Sequence, residues 1–593
     1  MSAAAGQADA GAAPVRAPRI AVAATLGASL LAVLVVLVSA STLKEGFRAP
    51  KLWVLLFGAA AMIGCLAPLV AGREAARRSV FPLIALAPLV LVHLLASCFS
   101  RFPAISWETS VVVLLGALLV VLWTVLPLRF ATLSITFGAL AAAVSGWLFW
   151  NAVSLLSSAP SQRARFELRA SLGNPADAAI FLLLPCIVLQ ARLRRRWIAR
   201  ADGGEGRAPG LLLEVLLAVT VHGGLLITQT LSAALALIAA TLVLWWPRSL
   251  RTLSWRGAFA GRAVVALLGV ALLSTPLRQR VERKAEQMLR GDWNALLTGR
   301  LDGWMVAVEL VRERPLLGQG PGNFGVLYNR TKEQLLAQGA PFYPAHGPFS
   351  SFANAHNEVL EVAAETGVLG VLALLWALGC LAVAARSAPP AHRRTALAGA
   401  PGFAVVCLSN SPLRSPATAL PVLVAVAWIL SRRQPAPFEV PSPWRGGGVR
   451  VVAAVLLTAV LMLGVGRIVL PAAAAERALW LAEARASAFE RGSGVQGSAA
   501  WRSSLQSLQR AFTSRPADAR LPLAIGSYWL IAGDHERAEK RYRESLAIEL
   551  RPETLLNLAR WLGGQGRDEE AAAAEARAVA LDPYRRRALR RSG

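Results

Sequence analysis

The chain has 593 residues, of which 55% are hydrophobic and only 16% are charged. Soluble globular domains average about 45–50% apolar and about 25% charged residues, so this composition excludes an ordinary soluble protein. The formal net charge is +27, but the arginines lie in short clusters between apolar runs. Cytoplasmic loops of membrane proteins carry such clusters, and nucleic-acid binding is therefore not expected.

Apolar runs recur along most of the chain. A spanning helix needs about 20 mostly apolar residues. The fold class predicted is therefore all-α, a polytopic helical membrane protein with a large exterior loop and a C-terminal α-helical repeat domain. About thirteen spans are predicted, at 20–43, 52–72, 79–100, 109–128, 130–156, 173–191, 209–228, 231–247, 262–277, 357–385, 395–413, 415–431 and 449–470.

The distribution of arginine between the loops predicts the orientation. With residues 1–19 as a cytoplasmic tail, most arginines of the short loops fall on the cytoplasmic side, and the short exterior loops carry few. The segments that follow are N-terminal spans at 20–277, an exterior loop at 278–355, C-terminal spans at 356–475 and an exterior domain at 476–593.

The exterior loop is the long polar segment between the spans, and its patterns predict local structure. Residues 282–290 and 300–313 have the apolar spacing of amphipathic helices. A turn-rich segment follows that contains Gly318 and Gly320. Glycines let backbone amides approach a ligand closely, so these two are candidate binding positions.

His356 is the candidate general base. It is predicted to lie at the N-terminus of a helix, after Asn354 as a plausible N-cap. The positive end of the helix dipole disfavours imidazolium, whereas Glu358, Glu361 and Glu365 favour it. A neutral imidazole at the membrane surface suits proton abstraction near neutral pH. The alternative is a histidine that only caps the helix or hydrogen-bonds to loop backbone.

Arg300 is the second candidate. It begins an amphipathic helix that also carries Trp304. A guanidinium pairs bidentately with phosphate oxygens and stays charged. The alternative is a solvated surface arginine, as expected for Arg312 and Arg314. None of the five cysteines forms a CxxC pair and no His/Cys/Asp cluster has ligand spacing, so neither a metal nor another cofactor is expected.

The C-terminal residues 476–590 are polar, helical in pattern and internally repeated. Gly533 and Gly566 are 33 positions apart, as are Ala538 and Ala571. A helix-pair repeat of about 34 residues is tetratricopeptide-like, and residues 499–516 look like part of an earlier unit. Such stacks build concave surfaces, so this domain is a candidate for binding a protein partner or the substrate. A plain helical bundle is the alternative.

Several motifs, taken in order, resemble those of the O-antigen ligase and O-antigen polymerase superfamily, over about residues 100–430. His356-Asn357 is followed after nine residues by Gly367-x-x-Gly370. The other matching segments are Leu172-Gly173-Asn174-Pro175, Arg300-Leu-Asp-Gly-Trp304, Pro315-Leu-Leu-Gly318-Gln-Gly320 and Ser411-Pro412-Leu413-Arg414-Ser415-Pro416.

The resemblance implies a metal-independent glycosyltransferase of the bacterial inner membrane, with its exterior face in the periplasm. The donor would be a glycan on undecaprenyl pyrophosphate. The acceptor hydroxyl would belong to lipid A core (lipopolysaccharide ligation), to a carrier-linked glycan (polymerisation in polysaccharide biosynthesis) or to a protein. His356 would take the acceptor proton and Arg300 would neutralise the pyrophosphate. The implied substrate-binding residues are Asn357, Trp304, Gly318, Gly320 and Arg169.

The sequence departs from the family pattern at one functional position. The family often has Thr-x-Ser-Arg in a middle span, but here Thr230-Leu231-Ser232 is followed by Ala233. Arg163, Arg165 and Arg169 are the candidates to replace that arginine, and the alternative is a divergent or inactive member of the family. Two other classes therefore stay open: a non-catalytic membrane scaffold that displays the repeat domain, and a glycolipid transporter. The small number of charges within the spans argues against the transporter.

Overall fold

A computed structural model describes residues 17–126, 128–156, 168–201, 209–245, 275–342, 351–433, 447–490 and 498–583. The regular secondary structure of these residues is entirely helical, with two short 3-10 turns at Ala170–Leu172 and Pro412–Arg414. The predicted all-α class is thereby confirmed.

Twelve of the helices match predicted spans, and eight of these (α1–α6, α13 and α16) are long and apolar enough to cross a membrane. Helices α7, α8 and α15 are apolar but shorter. The predicted span at 262–277 lies outside the described residues up to position 274. The twelve helices are α1 Ala17–Leu37, α2 Arg48–Val70, α3 Arg73–Cys98, α4 Pro103–Val125, α5 Phe130–Leu156, α6 Pro175–Ala201, α7 Pro209–Ile227, α8 Leu231–Trp245, α13 Glu358–Arg386, α14 Pro390–Cys407, α15 Pro416–Ser431 and α16 Gly447–Glu490.

The loop between α8 and α13 is itself folded. It contains α9 Thr275–Leu289, α10 Trp293–Leu296, α11 Arg300–Glu313 and α12 Phe324–Ala337. The bounds predicted for α11 are correct, whereas α12 was not predicted. Its Phe324, Leu327 and Tyr328 are buried together with Val306 of α11 and Ala355. The loop therefore has a core of its own, and residue 355 is part of that core.

Helix α13 is interrupted at Gly367, where φ is +66°. The loop segment at 315–318 docks at this break: Val368 N donates to the Pro315 carbonyl (2.8 Å) and Leu369 N to the Leu316 carbonyl (3.3 Å). A Cβ at position 367 would lie 2.2 Å from the Leu316 oxygen. The Gly367-x-x-Gly370 motif thus serves close packing, but at Gly367 the partner is a loop backbone and not a neighbouring helix.

The C-terminal unit is defined here as residues 475–490 and 498–583. It consists of the end of α16 with α17 Ala499–Ser514, α18 Arg520–Ile531, α19 His535–Ile548, α20 Pro552–Gly564 and α21 Asp568–Leu581. At 1.5 Å per residue, the 44 residues of α16 extend for about 66 Å. Ala475 and Leu479 of this helix are in the core of the C-terminal unit. A continuous helix therefore joins this unit to the last span. The tetratricopeptide assignment stays a prediction.

Gly367→Ala tests the docking of the loop on α13. We expect it to destabilise the protein by about 2 kcal/mol or more, because the added Cβ meets a backbone oxygen and φ is positive. The measurement is the apparent melting temperature in detergent. Gly379→Ala on the same helix is the control: no atom lies within 4 Å of its Cβ position, so a melting temperature unchanged or slightly raised is expected. Equal effects of both substitutions would contradict the docking.

Candidate functional site

Unusual backbone conformations mark the site. Four non-glycine residues among those described have positive φ: Ala170, Gln229, Thr298 and His356. Such conformations cost about 1–3 kcal/mol each and persist only where the surrounding structure imposes them. Thr298 lies two residues before Arg300, and His356 has φ of +52°. The strain is thus concentrated near the predicted functional residues.

His356 lies just before α13, half-buried. The N-cap of α13 is Asn357, whose Oδ1 accepts from Val359 N and Leu360 N (both 3.1 Å). The prediction of Asn354 as N-cap was therefore wrong by three positions. The His356 ring contacts the Phe352 ring edge-on, with 5.3 Å between centroids. Neither ring nitrogen has a hydrogen-bond partner within the described part of the chain, so the imidazole is free to meet a ligand.

The Glu361 carboxylate holds the segment before His356 in place. It accepts from Asn354 Nδ2 (2.7 Å), Ala355 N (3.1 Å) and Ser411 Oγ (2.6 Å). The residue is 1% exposed. A buried carboxylate is costly unless it is paired and hydrogen-bonded, so these donors constrain the backbone on which His356 stands.

Arg414 lies within ion-pair distance of three glutamates of α13. Its guanidinium lies 2.8 Å from Glu365, 3.5 Å from Glu361 and 3.6 Å from Glu358, and all four side chains are largely buried. The sequence analysis did not predict this cluster. The signal was available: glutamates at spacings of three and four residues at the start of an apolar span require a nearby cation.

Among the described residues, no carboxylate pairs with the guanidinium of Arg300. Its Nη1 donates to the Leu297 carbonyl (3.2 Å), and Nη2 lies 3.5 Å from Asn410 Oδ1. Nε is buried without an acceptor, and no described carboxylate lies within ion-pair distance. Burial, with Arg280 nearby, lowers the pKa of Arg300 to about 10. A buried guanidinium in this state is a favourable site for an anion.

The structure brings His356 and Arg300 together. Helix α11 packs on the His356 segment, since a Cβ at Gly303 would lie 3.2 Å from the Ala355 oxygen. Burial and, to a smaller extent, the nearby Arg300 charge lower the pKa of His356 to about 4, although Glu361 opposes them. The imidazole is therefore neutral near pH 7, as a general base requires.

Two further cations lie close to Arg300, and the sequence analysis did not single them out. Arg280 Nη1 donates to the carbonyl of the strained Gln229 (2.9 Å). Lys284 Nζ donates to the Ala295 carbonyl (2.5 Å). Burial lowers the pKa of Lys284 to about 8, and the charges of Arg280 and Arg300 act in the same direction. Helix α9 thus adds positive charge beside α11.

Three of the remaining predicted binding residues, Gly318, Gly320 and Arg169, contact other parts of the protein. Gly318 N donates to the Arg314 carbonyl and Gly320 N to the Glu365 carbonyl. The guanidinium of Arg169 lies 5.2 Å from the centre of the Phe47 ring, beside the loop between α1 and α2. Trp304 has a buried indole N–H without an acceptor among the described residues. Substrate contacts of these residues, and of Asn357, stay predictions.

A cavity of about 2710 Å³ lies on the membrane helices next to this site. Its walls at the level of the spans are mainly apolar residues of α4, α6, α13 and α15. At one end it is lined by Phe352, Asn354 and Glu358, which flank His356, and by Arg414. The cavity is therefore mainly apolar, with polar and charged residues at the end that lies beside His356. Among the described residues, no group of three His, Cys, Asp or Glu is placed to hold a metal ion.

Together these features describe a multi-pass membrane protein with a cationic, histidine-containing site in the loop before α13. A family model described as O-antigen ligase matches residues 215–375, which include Arg280, Arg300 and His356. This match supports assignment of the chain to the O-antigen ligase superfamily and a function of the glycosyl-transfer type. No curated protein matches the chain.

The neutral state of His356 gives a prediction for its pH dependence. Diethyl pyrocarbonate reacts with the neutral form of a histidine side chain and not with the protonated form. The rate constant for modification of His356, followed by mass spectrometry, should therefore be half-maximal near pH 4. A model histidine peptide, whose pKa is about 6.5, is the control. The histidine's pKa is lowered in the folded state, so protonation below pH 4 removes the neutral form. A midpoint at about 6.5 for His356 would contradict the buried, Arg300-flanked environment.

Proposed function

We propose that this protein is an inner-membrane glycosyltransferase that moves a glycan from undecaprenyl pyrophosphate to an acceptor hydroxyl on the periplasmic face. The observation that carries the proposal is the pairing of neutral His356 with the uncompensated guanidinium of Arg300, within the segment that matches the O-antigen ligase model. The apolar cavity supports lipid-borne substrates.

In the proposed reaction, His356 accepts the proton of the acceptor hydroxyl. The hydroxyl oxygen forms a bond to the anomeric carbon, and the bond from that carbon to the pyrophosphate oxygen breaks. The electron pair leaves with lipid pyrophosphate, whose negative charge Arg300 stabilises. In this step the proton of the acceptor hydroxyl ends on His356, and Arg300 supplies positive charge opposite the leaving group.

Donor binding would also activate the base. With the site empty, Arg300 lowers the pKa of His356. A pyrophosphate bound at Arg300 brings negative charge close to the imidazole and favours its protonated form. His356 would then become a stronger base only when the donor is present, which favours transfer over unproductive proton uptake.

Arg280 is our candidate for the second phosphate-binding arginine. Ala233, where the family pattern places an arginine, is fully buried. Arg280 reaches the Gln229 carbonyl in the loop just before that position, and its charge acts on Arg300. We therefore propose Arg280 of α9 for this role in preference to Arg169, whose guanidinium lies over the Phe47 ring. The other two predicted arginines, Arg163 and Arg165, lie outside the described residues.

Purified protein in liposomes with undecaprenyl-pyrophosphate-linked glycan tests the function. Release of the lipid pyrophosphate is measured with three acceptors: lipid A-core glycolipid, carrier-linked glycan and unfolded protein. We expect His356→Ala to lower the rate about 100-fold or more, and His392→Ala to leave it unchanged. Activity that survives His356→Ala would exclude the general-base role. Absence of release by the wild type with every acceptor would favour the scaffold or transporter.

The role of the cations is tested separately, with substitutions on α9 and α11. Arg300→Gln should lower kcat about 100-fold, because it removes charge stabilisation of the leaving group. Arg280→Gln should raise the KM for the donor about tenfold. Arg312→Gln at the other end of α11 is the control, since its side chain is 73% exposed and pairs only locally with Glu309. Equal losses in all three variants would indicate a general effect on folding.

A further inference from the structure

We infer that the C-terminal unit is a structural part of the site: its docking on α12 positions His356. The sequence analysis predicted that this unit binds a protein partner or the substrate. The described contacts show that part of its surface is already occupied by the loop that carries the site. The inference rests on the proposed function only for the chemical role of His356.

The docking surface joins α21 to the second half of α12. Arg577 donates to both carboxylate oxygens of Glu333 (2.7 and 3.0 Å), and Lys332 Nζ donates to the Leu581 carbonyl (2.8 Å). Leu336 packs against an apolar cluster of the C-terminal unit that includes Leu550. Polar and apolar contacts therefore coincide on one face of α12.

Lys332 is buried at the contact between α12 and the C-terminal unit. The residue is 3% exposed, and burial lowers its pKa, while Asp302 and Asp582 oppose that effect. A buried ammonium group is costly without compensation. Asp302 belongs to α11 and Asp582 to the C-terminal unit. The charge of Lys332 is therefore stabilised by carboxylates of both.

Aromatic contacts connect α12 to His356. Tyr328 lies one helical turn before Lys332, and residues four apart share a helix face. The Tyr328 ring meets the Phe352 ring edge-on, with 5.5 Å between centroids. The Phe352 ring in turn meets the imidazole of His356 edge-on. The position of α12 thus limits where the imidazole can lie.

A second attachment fixes the C-terminal unit to the membrane helices. Arg515 donates two hydrogen bonds of 2.9 Å to the carboxylate of Glu108 at the start of α4. The continuous helix α16 provides a further connection. Arg515 and Arg551 also line the cavity that reaches Asn354 and Glu358. The unit is therefore placed to hold α12 in a defined position over the spans.

Charge reversal and its rescue test this inference in the full-length protein in nanodiscs. An exposed ion pair alone contributes little, so removal of one charge is a weaker test than repulsion. The variants are Glu333→Arg, Arg577→Glu and the double reversal. Glu575→Arg is the control, because this residue is exposed on the same helix.

The readouts are amide hydrogen exchange of residues 324–337 and 351–357, and the rate of His356 modification by diethyl pyrocarbonate. Each single reversal should raise both about threefold or more, the double reversal should return both toward wild type, and Glu575→Arg should change neither. The inference is wrong if the single reversals behave as wild type, or if the double reversal is no closer to wild type than they are.

Glycosyl transfer provides a separate readout. The single reversals should lower kcat with little change in the donor KM, because they displace His356 but do not change the site at Arg300. If the wild type is inactive with every donor and acceptor, the proposed function fails, while exchange and His356 reactivity still decide the positioning role. A fall in activity without any change in those two readouts would contradict positioning through α12.

Discussion

The site depends on one buried carboxylate, that of Glu361. Its oxygens accept hydrogen bonds from Asn354, Ala355 and Ser411, and they lie near Arg414. Because an unpaired buried charge is so unfavourable, these segments are drawn to one point at the start of α13. Glu361 thereby joins the loop before α13 to the connection before α15. These contacts fix the backbone of the loop segment that carries His356.

This junction explains how a histidine is kept in a conformation that it rarely adopts. The positive φ of His356 is maintained because both neighbours are fixed: the Ala355 amide by Glu361, and Asn357 by its capping of α13. Local strain of this kind is held by the surrounding structure. The imidazole can then be presented to a ligand without hydrogen bonds from its own ring to the described protein.

The charges on the two sides of His356 are segregated. Carboxylates gather around Arg414 at the start of α13, whereas Arg300, Lys284 and Arg280 gather on α9 and α11. Placing cations together in a partly buried site costs stability. That cost is the physical reason to expect an anionic ligand here.

The sequence by itself determined what depends on local pattern. The length of the apolar runs predicted the membrane class and the twelve helices that match predicted spans. The periodicity of apolar residues predicted the bounds of α11. The tertiary structure decided the rest: the Arg414 cluster, the approach of Arg280 to Gln229, the true N-cap Asn357 and the docking of α21 on α12. Most of these contacts join residues that are far apart in sequence. The N-cap is a choice between two nearby asparagines, Asn354 and Asn357. Periodicity and spacing carry no information about such pairs, because burial and charge compensation select them only when the helices pack.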